Sequence, residues 1–141
     1  ELGTFEAQTP KHLLARFPQL HMVTVDPFEL LPGTASVELL VARRQRVFEL
    51  LRPFGTRVTV LATTSQEASR FMADGQFDLI FVDGGPRADE VRRWRSKVRP
   101  GGLLVGHDFH LGMDQDYLLE IFRSAPGNET LHLAPDWTWF C

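Results

Sequence analysis

Several things are scarce in this 141-residue chain, and each scarcity closes off a class of protein. It holds one cysteine, Cys141 at its last position. A single thiol rules out an internal disulfide framework and a cysteine-based zinc site, and it is compatible with a reducing, cytoplasmic setting. No apolar run approaches the roughly 18 residues of a membrane span, and no signal peptide is legible at the start. Excess positive charge is lacking too. The formal net charge is -3, which argues against nucleic acid as the main partner. Repeats, low-complexity segments and linkers are absent. What remains is ordinary: 43% apolar and 23% charged residues, enough for one globular domain over residues 1–141 with a core of its own.

Short apolar runs alternate with amphipathic stretches, the pattern of βαβ units around a parallel sheet. Thr9-Pro10 reads as an N-cap with proline in the first turn, and Leu13, Leu14 and Phe17 supply the stripe of a helix that Pro18 ends. His21 to Val25 is a strand with Asp26 at its carboxyl end, and Pro27 to Gly33 a loop. Val37, Leu40, Val41, Val47, Phe48 and Leu51 are spaced as one helical face. The Arg43, Arg44, Arg46 cluster on that helix reads as a solvated face. Arg57 to Ala62 is the next strand, and Ala68, Phe71 and Met72 mark a short helix. Leu79 to Val82 is an unbroken apolar run suited to a strand buried on both faces. Val91, Trp94 and Val98 mark a further helix. Pro100-Gly101-Gly102 is a turn before a strand at Leu103 to Val105. Leu118, Ile121 and Phe122 mark a last helix, and Leu131 to Trp139 a terminal antiparallel hairpin around Pro135-Asp136.

Ligands of open α/β sheets bind beyond the carboxyl ends of the strands. Those ends carry Glu1-Leu2-Gly3, Asp26, Thr64-Ser65-Gln66, Asp83 and His107-Asp108, and together they exceed what a bland fold needs. Gly3 lets the backbone approach a ligand closely. Asp26 is placed to accept the hydroxyls of a ribose; as a helix cap or surface acid it would do neither. Ser65 and Gln66 suit an adenine edge, or Ser65 caps the helix that follows. Asp83 and Asp108 are hard oxygen donors able to hold Mg²⁺, or an Asx turn and a cap. His107 has the reference pKa of a general base.

These segments resemble a family. Glu1-Leu2-Gly3-Thr4-Phe5-Glu6-Ala7-Gln8-Thr9 is similar to the first motif of class I S-adenosylmethionine-dependent methyltransferases, in particular the E-[LI]-G-x-[YF]-x-G-x-[ST] segment of catechol-type small-molecule O-methyltransferases. Val25-Asp26, Thr64-Ser65-Gln66-Glu67, the run from Phe77 to Gly84 and the run from Pro100 to Asp108 resemble that family's later motifs, in order and at its spacing. The last two look like a bacterial-type group with D-G-x-H and G-H-D signatures. The resemblance implies a Rossmann-like, mostly parallel sheet with helices on both faces. It implies a cofactor site at Glu1, Gly3, Thr4, Phe5, Asp26, Ser65, Gln66 and Asp83, and catalysis by His107 and Asp108, with Mg²⁺ on Asp83 and Asp108 as one arrangement. The acceptor it implies is a small-molecule hydroxyl. Three departures stand out. Ala7 replaces the motif's second glycine, Gly85-Pro86 stands where the group has its histidine, and only Glu1-Leu2 represents the fold's central first strand, as in a piece of a longer protein or in an incomplete sheet. They raise the alternative of a catalytically degenerate relative that binds but does not turn over. A nicotinamide-dependent dehydrogenase is disfavoured because Gly3 is followed by Ala7 and not by G-x-G-x-x-G.

Overall fold

A computed structural model describes residues 1–29, 36–83, 88–107, 119, 130–136 and 138–141. The chain divides into two compact units, one of Glu1 with residues 3–68 and one of Leu2 with residues 69–141.

In the first unit, helix α1 (Gln8–Arg16) leads to strand β1 (Met22–Val25), helix α2 (Val37–Leu51), a 3₁₀ turn (Arg52–Arg57), strand β2 (Val58–Leu61) and the short helix α3 (Ser65–Ser69). β1 and β2 pair in parallel, Met22 opposite Val58 through Val25 opposite Leu61. The core gathers Ala7, Leu14, Phe28, Val47 and Leu51, with Met22, Val58 and Val60 packed against it. Arg57 donates to the Leu14 and Phe17 carbonyls, so a cation satisfies the C-terminal end of α1 where the helix dipole favours it. Helix α1 begins before the Thr9-Pro10 cap read from the sequence. Its N-cap is Ala7, at φ 57° and ψ 29°, and the Ala7 carbonyl accepts from Lys11. α2 has the expected extent, capped by the Ser36 hydroxyl, which accepts from the Leu39 amide. Only part of the expected apolar face is buried. Val47 and Leu51 are buried, whereas Val37, Val41 and Phe48 are exposed.

In the second unit, strand β3 (Phe77–Val82), helix α4 (Ala88–Arg95), strand β4 (Val98–Gly106), strand β5 (His132–Leu133) and strand β6 (Trp139–Phe140) follow in chain order. The sheet order is β3-β4-β6-β5. β3 and β4 are parallel, and β6 is antiparallel to both β4 and β5, which is the terminal hairpin expected from the sequence. Leu2 forms a parallel bridge to Val82. Val98, expected on the helix, belongs to β4, because the Phe77 amide already donates to Lys97 and pairing starts there. Pro100-Gly101-Gly102 lies inside this strand as an irregularity, and the register jumps from Phe77–Val98 to Leu79–Leu103. Gly106 faces Trp139, which is fully buried. A Cβ at Gly106 would lie 2.2 Å from the indole ring, so only glycine lets the ring seat there. Among the described residues no helix is long and apolar enough to cross a membrane. Asp108, the segment from Gly84 to Pro86, the helix expected around Leu118, Ile121 and Phe122, and Trp137 lie outside the described residues.

Candidate functional site

The first unit concentrates its buried polar groups at the carboxyl end of β1. Glu1 and Gly3 bond to that strand. Glu1 donates to the Val23 carbonyl, Val25 donates to Glu1, and Gly3 donates to Val25 at 2.9 Å. Gly3 then turns at φ 101°, a conformation that favours glycine. Thr4 and Thr24 are both buried. Their hydroxyl oxygens are 2.6 Å apart, and the Thr24 hydroxyl donates to Glu1 Oε2 at 2.8 Å. A hydroxyl has one proton. Thr24 spends it on the carboxylate, so Thr4 is the donor to Thr24, and a directed chain runs from Thr4 through Thr24 to Glu1.

Asp26 organises the rest. Its own amide donates to Leu61. Its Oδ2 accepts from the Phe5 amide at 2.8 Å and its Oδ1 from the Phe28 amide at 2.7 Å. The second bond closes an Asx turn over Pro27. Both phenylalanines have positive φ, 46° and 50°, which costs about 1–2 kcal/mol for each residue with a side chain. Hydrogen bonds to an ionised group contribute about 1.5–3 kcal/mol each, enough to offset that strain. Asp26 is therefore neither a surface acid nor a helix cap: it is 9% exposed and ties two loops to one carboxylate. Each of its oxygens has two lone pairs and one amide, which leaves acceptor capacity for a ligand. Strained backbone of this kind clusters at binding sites.

Arg43 overturns its reading as a solvated residue. It lies four and eight positions before Val47 and Leu51, on the inner stripe of α2, and its side chain is 23% exposed. Arg44 and Arg46 are exposed as expected. The Arg43 guanidinium stands 5.5 Å from the Phe5 ring centre and 5.8 Å from that of Phe28, within cation–π range. Its Nη2 is 3.9 Å from Asp26 Oδ1, an ion-pair distance too long for a hydrogen bond. Its Nε is buried without a hydrogen-bond partner. The signal was in the sequence: counting back from Val47 and Leu51 by helical turns reaches Arg43, and a clustered arginine run hid it.

Ser65 is the first residue of α3 and Gln66 the second. The cap belongs to Thr64, whose hydroxyl accepts from the Glu67 amide at 3.2 Å, while the Glu67 carboxylate takes the hydroxyls of Thr63 and Thr64. The capping alternative for Ser65 is thereby filled by its neighbour. In the second unit Asp83 is exposed directly after β3, and its amide donates to Leu2. His107 follows β4 and its amide donates to Val82. The hairpin acid Asp136 lies within electrostatic reach of His107. The Thr138 amide, which donates to Asp136 Oδ1 at 3.2 Å, holds the Asp136 carboxyl below its ordinary value, with a smaller contribution from the His107 charge. Sequence reading missed this neighbour because only the hairpin's return brings it near. Among the described residues no group of three metal-ligating side chains converges.

A family model described as "Methyltransferase domain" matches residues 1–109, and the chain belongs to that family. Solved structures agree on the fold. A Corynebacterium glutamicum protein aligns with a TM-score of 0.64 at 18% identity over 85% of this chain and 59% of its own. Cofactor-bound Rv0187 from MTB gives 0.64 at 18% identity, covering 99% of this chain and 69% of that one. A proposed O-methyltransferase from Klebsiella pneumoniae gives 0.62 at 19% identity, covering 99% and 68%. The likeness establishes the Rossmann-like α/β fold. The chain spans 59–69% of the length of these three structures. No curated protein sequence matches it.

Proposed function

We propose that this chain is the cofactor-binding part of an S-adenosylmethionine-dependent methyltransferase, and that the methyl acceptor is a hydroxyl of a small molecule. Family membership supports the class. The observation that carries the site is the Asp26 carboxylate, which draws the Phe5 and Phe28 loops together at the carboxyl end of β1 and keeps lone pairs for ribose hydroxyls. Gly3, Thr4 and Phe5 form the backbone edge against which the cofactor would lie, with Glu1 fixing that edge through Thr24. Ser65, whose capping role Thr64 takes, and Gln66 would meet the adenine, and Asp83 is a further cofactor contact in this reading. When bound, the cofactor supplies an electrophilic methyl on a sulfonium. The protein's contribution is mainly to position donor and acceptor. His107 would take the acceptor proton, and Asp108 would assist. Of the two acids that would hold Mg²⁺, only Asp83 lies among the described residues, so the proposal rests on the cofactor and not on a metal. The expected setting is the cytoplasm.

A degenerate relative is the second reading, motivated by Ala7 and Pro86. The backbone at Ala7 weighs against it, since Ala7 holds φ 57°, the conformation a glycine would supply. Calorimetric titration with S-adenosylmethionine and S-adenosylhomocysteine, repeated with Asp26→Ala, tests the proposal. Micromolar binding that the substitution abolishes is expected. An acceptor screen with and without a chelator then separates turnover from binding alone. A folded protein that binds neither ligand contradicts the proposal.

A further inference from the structure

The cluster around Asp26 holds more hydrogen-bond donors than it has acceptors for. Arg43 brings a guanidinium with five N–H donors and no acceptor onto the inner stripe of α2, a place where charged side chains are rare unless paired. The acid beside it is out of hydrogen-bond range at 3.9 Å. Its Nε is buried and unpartnered. The Phe5 and Phe28 rings fix the guanidinium in place without consuming a donor. Asp26, ionised, can only accept, and two of its lone pairs are taken by the Phe5 and Phe28 amides. An acceptor-only group and a donor-only group thus stand side by side, each with capacity left. The ligand group that uses both is a hydroxyl, which donates to one partner and accepts from the other.

We propose that Arg43 is a specificity-determining residue that, together with Asp26, reads a vicinal diol: each hydroxyl donates to the carboxylate and accepts from the guanidinium. This rests on the cofactor reading above and extends it, because it assigns the donor half of ribose recognition to an α2 residue. A carboxylate alone leaves the hydroxyl oxygens without a donor. A phosphate in the diol's place would meet Asp26 as a like charge, so the pair selects free hydroxyls.

Calorimetry on the wild-type protein, Arg43→Met and Arg43→Lys, each titrated with S-adenosylhomocysteine and with its 2′-deoxy and 3′-deoxy analogues, tests this. The wild type should prefer the ribose ligand over at least one deoxy analogue by about tenfold or more. Arg43→Met should bind S-adenosylhomocysteine about tenfold or more weakly and should lose most of that preference. Arg43→Lys, which keeps the charge without the planar fork, should fall between and decides the matter if Arg43→Met does not fold. A loss of affinity that is equal for the ribose and deoxy ligands in both variants, or no loss, overturns the assignment and leaves the cofactor reading standing. Absence of S-adenosylhomocysteine binding by the wild type overturns both.

Discussion

The carboxyl end of β1 and the β3-β4-β6 sheet are ordered by different means. At β1, small polar contacts do the ordering: Asp26 accepts two amides, two buried threonines pass hydrogen bonds to Glu1, and three residues with side chains sit at positive φ. Around β4, order comes from shape: Gly106 leaves room for the ring of Trp139, and Ile80, Val82 and Leu104 are buried. The polar arrangement is strained and keeps unspent hydrogen-bonding capacity, as a binding site does. The apolar one is held by the fit of a ring against backbone, as in a scaffold.

Substitutions can break each half of this contrast. The largest effect is expected from Gly106→Val. Its side chain would overlap the Trp139 ring, and the protein should lose about 3 kcal/mol or more of stability, read by urea unfolding. Asp26→Ala should cost about 2–3 kcal/mol, because it orphans the Phe5 and Phe28 amides; Asp26→Asn should cost less, since one acceptor oxygen remains. If Asp26→Ala were silent in unfolding, the carboxylate would not tie the Phe5 and Phe28 loops together. Ala7→Gly should work in the opposite direction, stabilising by about 0.5–1 kcal/mol through relief of the left-handed backbone, and a raised melting temperature would report it. Asp74 provides the smallest effect. Lys97 and Ser96, both hydrogen-bonded to it, hold its carboxyl below the usual range, Lys97 first. A lowered folded-state pKa adds stability above the unfolded value of about 3.9, lost as pH falls through the folded value. Asp74→Asn should flatten the melting-temperature profile in that acid window, lying slightly below the wild type at neutral pH and converging with it in acid.

Much of this was legible in the chain, and the exceptions have physical causes. The strand at 79–82, the terminal hairpin and the extent of α2 follow from apolar runs and periodicity, which local backbone geometry obeys. The inward face of α2 does not follow. Val37 and Val41 are exposed and Arg43 turns inward, because the aromatic rings and the Asp26 carboxylate offer a cation what solvent would otherwise supply. The start of α1 was misplaced at Thr9-Pro10, since a left-handed alanine at position 7 leaves no mark in a propensity pattern. Val98 moved from helix to strand because pairing with β3 outweighs a helical spacing of apolar residues. Of the candidate site, Gly3, Thr4, Phe5 and Asp26 come together with Glu1 in the first unit as motif order suggested. Arg43 could have been reached by counting back from Val47 and Leu51, whereas the nearness of Asp136 to His107 is a product of tertiary structure.

The central claim is that the cofactor binds where the first unit keeps its strained polar loops. Hydrogen–deuterium exchange with and without S-adenosylhomocysteine tests it most directly. The account predicts new protection at residues 3–5 and 26–28, with β6 and its pairing to β4 unchanged. Binding without protection at those two loops would contradict it.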